Sequence, residues 1–327
     1  MLSLPDHWVW DSWYVTDDDG RHHVFFLRAS RALHDPERRH HRASIGHAVS
    51  DDLHSWRLAA DALVAADEPA WDDLATWTGS VVRAPDGRWF MFYTGVSRTD
   101  GGRVQRIGLA VSQDLHTWHR YGGKPLVEAD RTWYERLDPS GPAEGDWPEE
   151  AWRDPWVFPD PAGDGWHMLI TARAGGGTVG GRGVIGHARS DDLMSWEVRP
   201  PLTEPAGFGH LEVPQVAVVD GRPLLLFCTN AVERPDATAN DRIWTVSGTS
   251  VTGPWDISAA RPVPCPHVYA PRLVQDVSGA WQLIGFADER DGTFAGELID
   301  PIPVRHSAAR GLYPVLSGMG TSATVAE

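Results

Sequence analysis

Five stretches of this 327-residue chain repeat one pattern, and the repeat decides what it can fold into. They read "VWDSWYVTDDDG", "TWTGSVVRAPDG", "WRDPWVFPDPAGDG", "HLEVPQVAVVDG" and "VYAPRLVQDVSG". Each closes on a turn pair: Asp19-Gly20, Asp86-Gly87, Asp164-Gly165, Asp220-Gly221 or Ser278-Gly279. An apolar, aromatic-rich run follows each pair ("HHVFFLRA", "RWFMFYTG", "GWHMLITAR", "RPLLLFCTN", "AWQLIGFAD"). A β-rich segment, a glycine turn and a second β-rich segment predict a hairpin.

A second motif follows four of the hairpins: "IGHAVSDDLHSW", "IGLAVSQDLHTW", "IGHARSDDLMSW" and the looser "IWTVSGTSVTGPW". It predicts a third strand, a polar turn, and a tryptophan leading into a fourth. Four short strands repeated five times, at roughly 60–75-residue spacing, predict an all-β fold: a five-bladed β-propeller with four-stranded antiparallel blades. Amphipathic helices long enough for α/β units are missing, and a β-sandwich does not explain the repeat. The Ser-Asp-Leu turns and their tryptophans are expected to be structural, a tight turn and an interblade packing surface. The fifth copy lacks that motif, and its tail "GELIDPIPVRHSAARGLYPVL" is expected to complete the last blade or close the ring. Residues 1–327 are accordingly read as a single propeller domain with no C-terminal β-sandwich.

Composition narrows the function classes. The formal net charge is −16, which argues against a surface that tracks phosphates and hence against nucleic acid. Cys228 and Cys265 are the only cysteines, too few for a disulfide framework or a metal knuckle. No apolar run reaches membrane-spanning length, and the tryptophan-rich motif begins before a signal peptide could fit. The expectation is a soluble cytoplasmic protein; oligomeric state is not legible.

The five copies differ at one informative position. Counting back from the turns, with two extra residues allowed in the third copy, it reads Asp11, Thr78, Asp154, Glu212, Ala270. Equivalent residues of innermost strands surround a propeller's axis, so three carboxylates converge on one mouth of the channel. Like charges that close raise each other's pKa unless their environments separate their roles. Arg153 is expected to hold Asp154 ionised, and Glu212, between Leu211 and Val213, to sit in a drier setting that favours its proton. One protonatable acid beside charged ones is the equipment of glycoside hydrolysis.

These residues also carry a family resemblance. "VWDSW" is similar to the nucleophile motif of levansucrase-type enzymes, glycoside hydrolase family 68. "WRDP" resembles the Arg-Asp-Pro motif shared by families 68 and 32, and "WTGSVV…DGRWFMFYTG" resembles the second-blade segment of the same clan. The motifs lie closest to family 68. The resemblance implies Asp11 as nucleophile toward a β-fructofuranosyl unit, Glu212 as acid/base, and Asp154 as a hydroxyl ligand that stabilises the transition state. It further implies Arg153 orienting substrate, Trp10 and Trp77 lining the sugar pocket, and Thr78 beside the nucleophile. Tyr269 and Arg272, in "VYAPRLV", are expected either as rim contacts or as packing residues. The acid/base stretch "GHLEVPQ" departs from the Glu-x-Glu-Arg and Glu-Cys-Pro of the two families, and His210 is assigned to contact the second sugar. Asn230 stands where transfructosylating relatives tend to carry arginine.

The expected activity is retaining hydrolysis of a terminal β-fructofuranosyl unit from sucrose or a short fructoside, with transfer open. An inverting arabinanase-like furanosidase and a non-catalytic sugar-binding propeller are the alternatives. No cofactor is implied and no metal site is expected: "RRHHR" (38–42) and His22-His23 read as surface residues of a polar loop and a hairpin turn. "RAGGGTVGGRG" (173–183) lacks a Walker lysine and reads as a loop over one propeller face.

Overall fold

The computed structural model describes residues 1–138, 140–230 and 242–315. Five antiparallel sheets are arranged in chain order. Blade 1 holds His7–Thr16, His22–Ser30, Ser44–Ser50 and Arg57–Leu58; blade 2 holds Ala75–Arg83, Trp89–Val96, Arg106–Ser112 and His119–Arg120. Blade 3 comprises Trp152–Pro159, Trp166–Arg173, Gly183–Ser190 and Glu197–Arg199. Blade 4 comprises Glu212–Val219, Arg222–Cys228, Ile243–Ser247 and Arg261–Pro262. Blade 5 is built from Val268–Gln275, Trp281–Arg290, Ile302–Ser307 and Gly311–Pro314, with an added strand, Thr293–Leu298, on its second strand. The first strand of each blade packs against the first strands of its two neighbours, which closes the ring around one axis.

The tail does both things expected of it. Residues 302–307 and 311–314 complete blade 5, and Leu298 exchanges two backbone hydrogen bonds with Leu2 (3.2 and 2.9 Å). Apolar clusters fill the seams between blades: Phe92 and Leu109 meet Trp152 and Met168, for example, and Phe158 and Leu169 meet Phe227 and Trp244. Polar stitches cross the same seams. Gln215 bonds both backbone groups of Leu273 (2.8 and 2.7 Å), and Ser80 accepts from Val157 N (3.1 Å).

The Ser-Asp-Leu motif is structural in all three close copies. Asp52, Asp114 and Asp192 each accept two backbone N–H groups at 2.7–2.8 Å and are met by the serine two residues earlier. The following leucines then take left-handed φ values of 64–65°. Trp118 and Trp196 donate back to those leucine carbonyls (3.0 Å each) and lie edge-on against Phe25 and Phe92 of the preceding blades.

His22 and His23 are not surface residues. Both are buried in the second strand of blade 1, where the strand's pleat turns them into the blade seams. His23 donates from Nε2 toward Asp17 (3.3 Å), and its Nδ1 lies 2.9 Å from His47 Nε2. Blade 3 repeats this chain as Asp160, His167 and His187 (3.0 and 2.8 Å). Burial holds all four imidazoles below their ordinary pKa, His47 and His187 near 3. They are neutral packing groups.

Candidate active site

Every first strand carries a β-bulge at the same height. The register slips between Trp10 and Ser12, between Trp77 and Gly79, opposite Leu169 and Thr171, between Glu212 and Gln215, and between Tyr269 and Arg272. A bulge adds an unpaired residue and re-aims its side chain. Four bulge residues are left-handed: Asp11 (φ 34°), Asp154 (58°), Val213 (51°) and Ala270 (44°). The blade-2 bulge is permitted by Gly79, where a Cβ would fall 2.0 Å from the carbonyl oxygen of Phe92.

This geometry moves Glu212 by one place. The bulge ring is Asp11, Thr78, Asp154, Val213 and Ala270, and Glu212 belongs to a second ring with Trp10, Trp77, Arg153 and Tyr269. Counting from the turn misplaces it because Asp220-Gly221 is a two-residue hairpin loop with both φ values positive (49° and 76°). The other four loops are longer. All five residues of the second ring line one cavity of about 840 Å³, and so do Asp11, Thr78 and Asp154.

Asp11 is half-buried at the cavity wall and accepts a 2.5 Å hydrogen bond from Thr78 Oγ1. Desolvation, then the neighbouring charge of Asp154, raises its pKa to about 7. Asp154 Oδ2 accepts from Thr171 Oγ1 (2.8 Å) and Val213 N (3.2 Å). Its backbone N–H donates to Thr94 Oγ1 (3.0 Å), which ties blade 3 to blade 2. Arg153 Nε stands 3.5 Å from Asp154, but desolvation outweighs it and the pKa of Asp154 is also raised. Arg153 pulls the pKa of Asp154 down, as expected of the neighbouring cation, without offsetting burial.

Glu212 is not in an apolar setting. Arg153 Nη2 donates to Oε1 (2.6 Å) and Tyr269 Oη donates to Oε2. Arg153 is the hub of the site: its Nη1 also meets Gln105 Oε1 (3.0 Å) and Glu149 Oε1 (2.9 Å). His210 is buried behind it and does not line the cavity, so it supports Arg153 rather than facing a second sugar. A guanidinium only donates, so His210 Nδ1 accepts from Arg153 (3.3 Å); burial holds this imidazole neutral, with a pKa near 3.

Arg272 takes the packing role and not the rim. It is 1 % exposed, lies beneath the cavity floor, and donates from Nη1 to the carbonyls of Val213 (3.1 Å) and Pro214 (2.7 Å). It follows the bulge of blade 5, so the pleat sends it inward while Tyr269, before the bulge, faces the cavity.

The turn counting also missed a wall. "RRHHR" belongs to a 3₁₀ helix, Pro36–Arg42, and Arg39, His40 and His41 line the cavity. Trp77 Nε1 donates to the His40 carbonyl (2.7 Å), and the Arg39 guanidinium lies 4.0 Å from the Phe294 ring centre. Asp288, Thr293 and Phe294 contribute from the added hairpin of blade 5, and Glu149 from the segment before blade 3. Apart from Asp288, which ends the repeated run "AWQLIGFAD", none of these lies in a repeated motif, so the repeat does not mark them. Asn230 also borders the cavity. Among the described residues no group of three or more metal-binding side chains is clustered, and no helix is long and apolar enough to cross a membrane.

Five blades around one axis, with the innermost strands of three of them sending acids into a cavity walled by tryptophans, define a propeller of the carbohydrate-active kind. The chain belongs to glycosyl hydrolases family 32: the model of that family's N-terminal domain matches residues 2–296. An insoluble β-fructofuranosidase isoenzyme of Arabidopsis thaliana is 30% identical over 200 residues, 60% of this chain and 32% of that protein. A fructan 1-exohydrolase of Triticum aestivum is 28% identical over 178 residues, 53% of this chain and 26% of that one. The matches thus span about a third or less of those relatives. Among solved structures, an inulosucrase from Halalkalicoccus jeotgali bound to kestose superposes with a TM-score of 0.75 at 22% identity, covering 100% of this chain and 94% of that one. A Bombyx mori β-fructofuranosidase gives 0.70 at 20% identity (96% and 64% covered). At those identities the likeness concerns the fold.

Proposed function

We propose that this chain is a retaining glycoside hydrolase that removes a terminal β-fructofuranosyl unit from sucrose or a short fructoside. The observation that carries the reading is the pair Asp11 and Glu212, set on different blades around one cavity. Asp154 and Arg153 stand beside them. Family membership and the fructoside names of the relatives supply the sugar. In this reading Asp11 attacks the anomeric carbon while Glu212 gives its proton to the departing glycosidic oxygen. Water, deprotonated by Glu212, then opens the fructosyl ester and releases Asp11. The pair carries one proton at the start and one at the end.

Each neighbour has work to do. Thr78 holds the Asp11 carboxylate by one oxygen, leaving the other for attack. Asp154, fixed by Thr171 and the Val213 amide, accepts sugar hydroxyl hydrogens as positive charge develops on the ring. Arg153 and Tyr269 orient Glu212, and Trp10 and Trp77 offer rings to the apolar faces of the furanoside. A sugar hydroxyl in place of water would give transfer from the same intermediate.

Glu212→Gln tests the reading. Fructose release from sucrose is lost, while sugar affinity by calorimetry stays within about an order of magnitude, because truncating the proton donor removes an interaction used mainly in the transition state. Unchanged turnover would remove Glu212 from the chemistry, and arabinose release from an arabinofuranoside in place of fructose would favour an inverting relative.

A further inference from the structure

A bulge that aims a side chain also takes a backbone amide out of the sheet ladder, and a buried amide needs an acceptor. In blades 3 and 4 a threonine of the preceding blade supplies it. Asp154 N donates to Thr94 Oγ1 (3.0 Å), and Val213 N is shared between Thr171 Oγ1 and Asp154 Oδ2 (3.2 Å each). Both threonines are fully buried on second strands, opposite Trp77 and Arg153. Each gives its own proton to the bulge residue of its own blade: Thr94 to the carbonyl of Thr78 (3.0 Å), Thr171 to Asp154 Oδ2 (2.8 Å). The Leu211 carbonyl is the farther choice for Thr171 (3.2 Å), and an ionised oxygen is the stronger acceptor.

These contacts make one thread across four blades. Asp11 is held by the hydroxyl of Thr78, and the carbonyl of Thr78 by Thr94. Thr94 is held by the amide of Asp154, the carboxylate of Asp154 by Thr171, and Thr171 by the amide that follows Glu212. Packing does not call for hydroxyls at this level. The residues opposite Trp10 and Tyr269, at the same place in blades 1 and 5, are Leu27 and Phe286, and Cys228 stands opposite Glu212 in blade 4. We propose that Thr94 and Thr171 are positioning residues whose hydroxyls set the spacing of Asp11, Asp154 and Glu212. Neither lines the cavity, so both act without touching sugar. The inference rests on those three acids carrying out the proposed hydrolysis.

The test is kcat and KM for fructose release from sucrose, in wild type and in valine, serine and alanine variants at both positions. Valine keeps the shape and removes the hydroxyl; serine keeps the hydroxyl and removes the methyl. Misplaced reacting groups lose rate more than affinity. In Thr94→Val and Thr171→Val kcat therefore falls roughly ten- to a hundredfold, with KM within about threefold of wild type. Thr94→Ser and Thr171→Ser keep kcat within about threefold. A packing role gives the reverse order, because valine fills the space and serine leaves a void. Wild-type kcat in either valine variant breaks the thread and overturns the proposal. Should a valine variant not fold, serine is compared with alanine at that position, since the two differ by the hydroxyl alone, and equal kcat overturns the proposal. Asp154→Asn separates the inference from the reading beneath it. Wild-type turnover in Asp154→Asn would sink the reading, whereas an impaired Asp154→Asn beside unimpaired valine variants defeats the inference alone.

Discussion

Burial acts on Asp11 more strongly than any single neighbouring charge, and both activity and stability follow from that. In the proposed hydrolysis Asp11 attacks as the ionised carboxylate. With its pKa raised to about 7, kcat/KM on a fructoside falls as pH drops through that region. A rate profile whose acid limb lies near pH 4 would contradict this. The stability consequence has the opposite sign. The folded state holds the Asp11 proton more tightly than the unfolded chain does, so this group's contribution is full below the unfolded pKa of 3.8 and is lost as pH rises through 7. Asp11→Asn cannot ionise and therefore has a higher Tm than wild type at pH 8, with the gap narrowing at pH 5. A thermal-shift series would show it, and a Tm lower than wild type at pH 8 would count against the burial argument.

Bulges and tryptophans matter at the scale of the strand. Trp118, buried in the seam against Phe25, fills space that no neighbouring side chain can reclaim, and Trp118→Ala costs about 3–5 kcal/mol in urea unfolding. A cost below about 1 kcal/mol would mean that blades 1 and 2 are held by their polar stitches instead. This architecture was legible because Asp-Gly turns and Ser-Asp-Leu turns recur in the chain. Asp11, Thr78 and Asp154 were legible for the same reason, since their copies have loops long enough to keep the count. The fourth copy has a two-residue loop, which hid the one-place offset of Glu212, although Asp154-Pro155, Val213-Pro214 and Ala270-Pro271 mark the bulges in the sequence itself. His210 lies ahead of its strand, where the repeat carries no register, and the side that Arg272 faces was not legible for another reason. A repeat reports strand position, but the inward or outward sense after a bulge depends on register.

For the molecule as a whole, its buried and half-buried histidines set the acid limit. His22, His23, His40, His47, His167, His187 and His210 all have pKa values lowered chiefly by burial. Below their unfolded pKa near 6.5 the unfolded chain binds protons that the propeller refuses, so stability falls as pH falls through 6.5. They outnumber Asp11, whose effect in that window is opposite. Tm is therefore lower at pH 5 than at pH 7, and His47→Phe together with His187→Phe reduces the difference. A Tm that rises on acidification would show that the carboxylates dominate. The ring also brings Asp11 and Glu212, 201 positions apart in the sequence, to one cavity.

The decisive observation is a covalent one. Glu212→Gln should be mixed with a fructoside bearing a leaving group that needs no proton, quenched in acid, and its peptides weighed. The peptide containing Asp11 gains the mass of one fructosyl residue if the mechanism is retaining and Asp11 is the nucleophile. Fructose released by wild type with inverted anomeric configuration, and no adduct on that peptide, would contradict both.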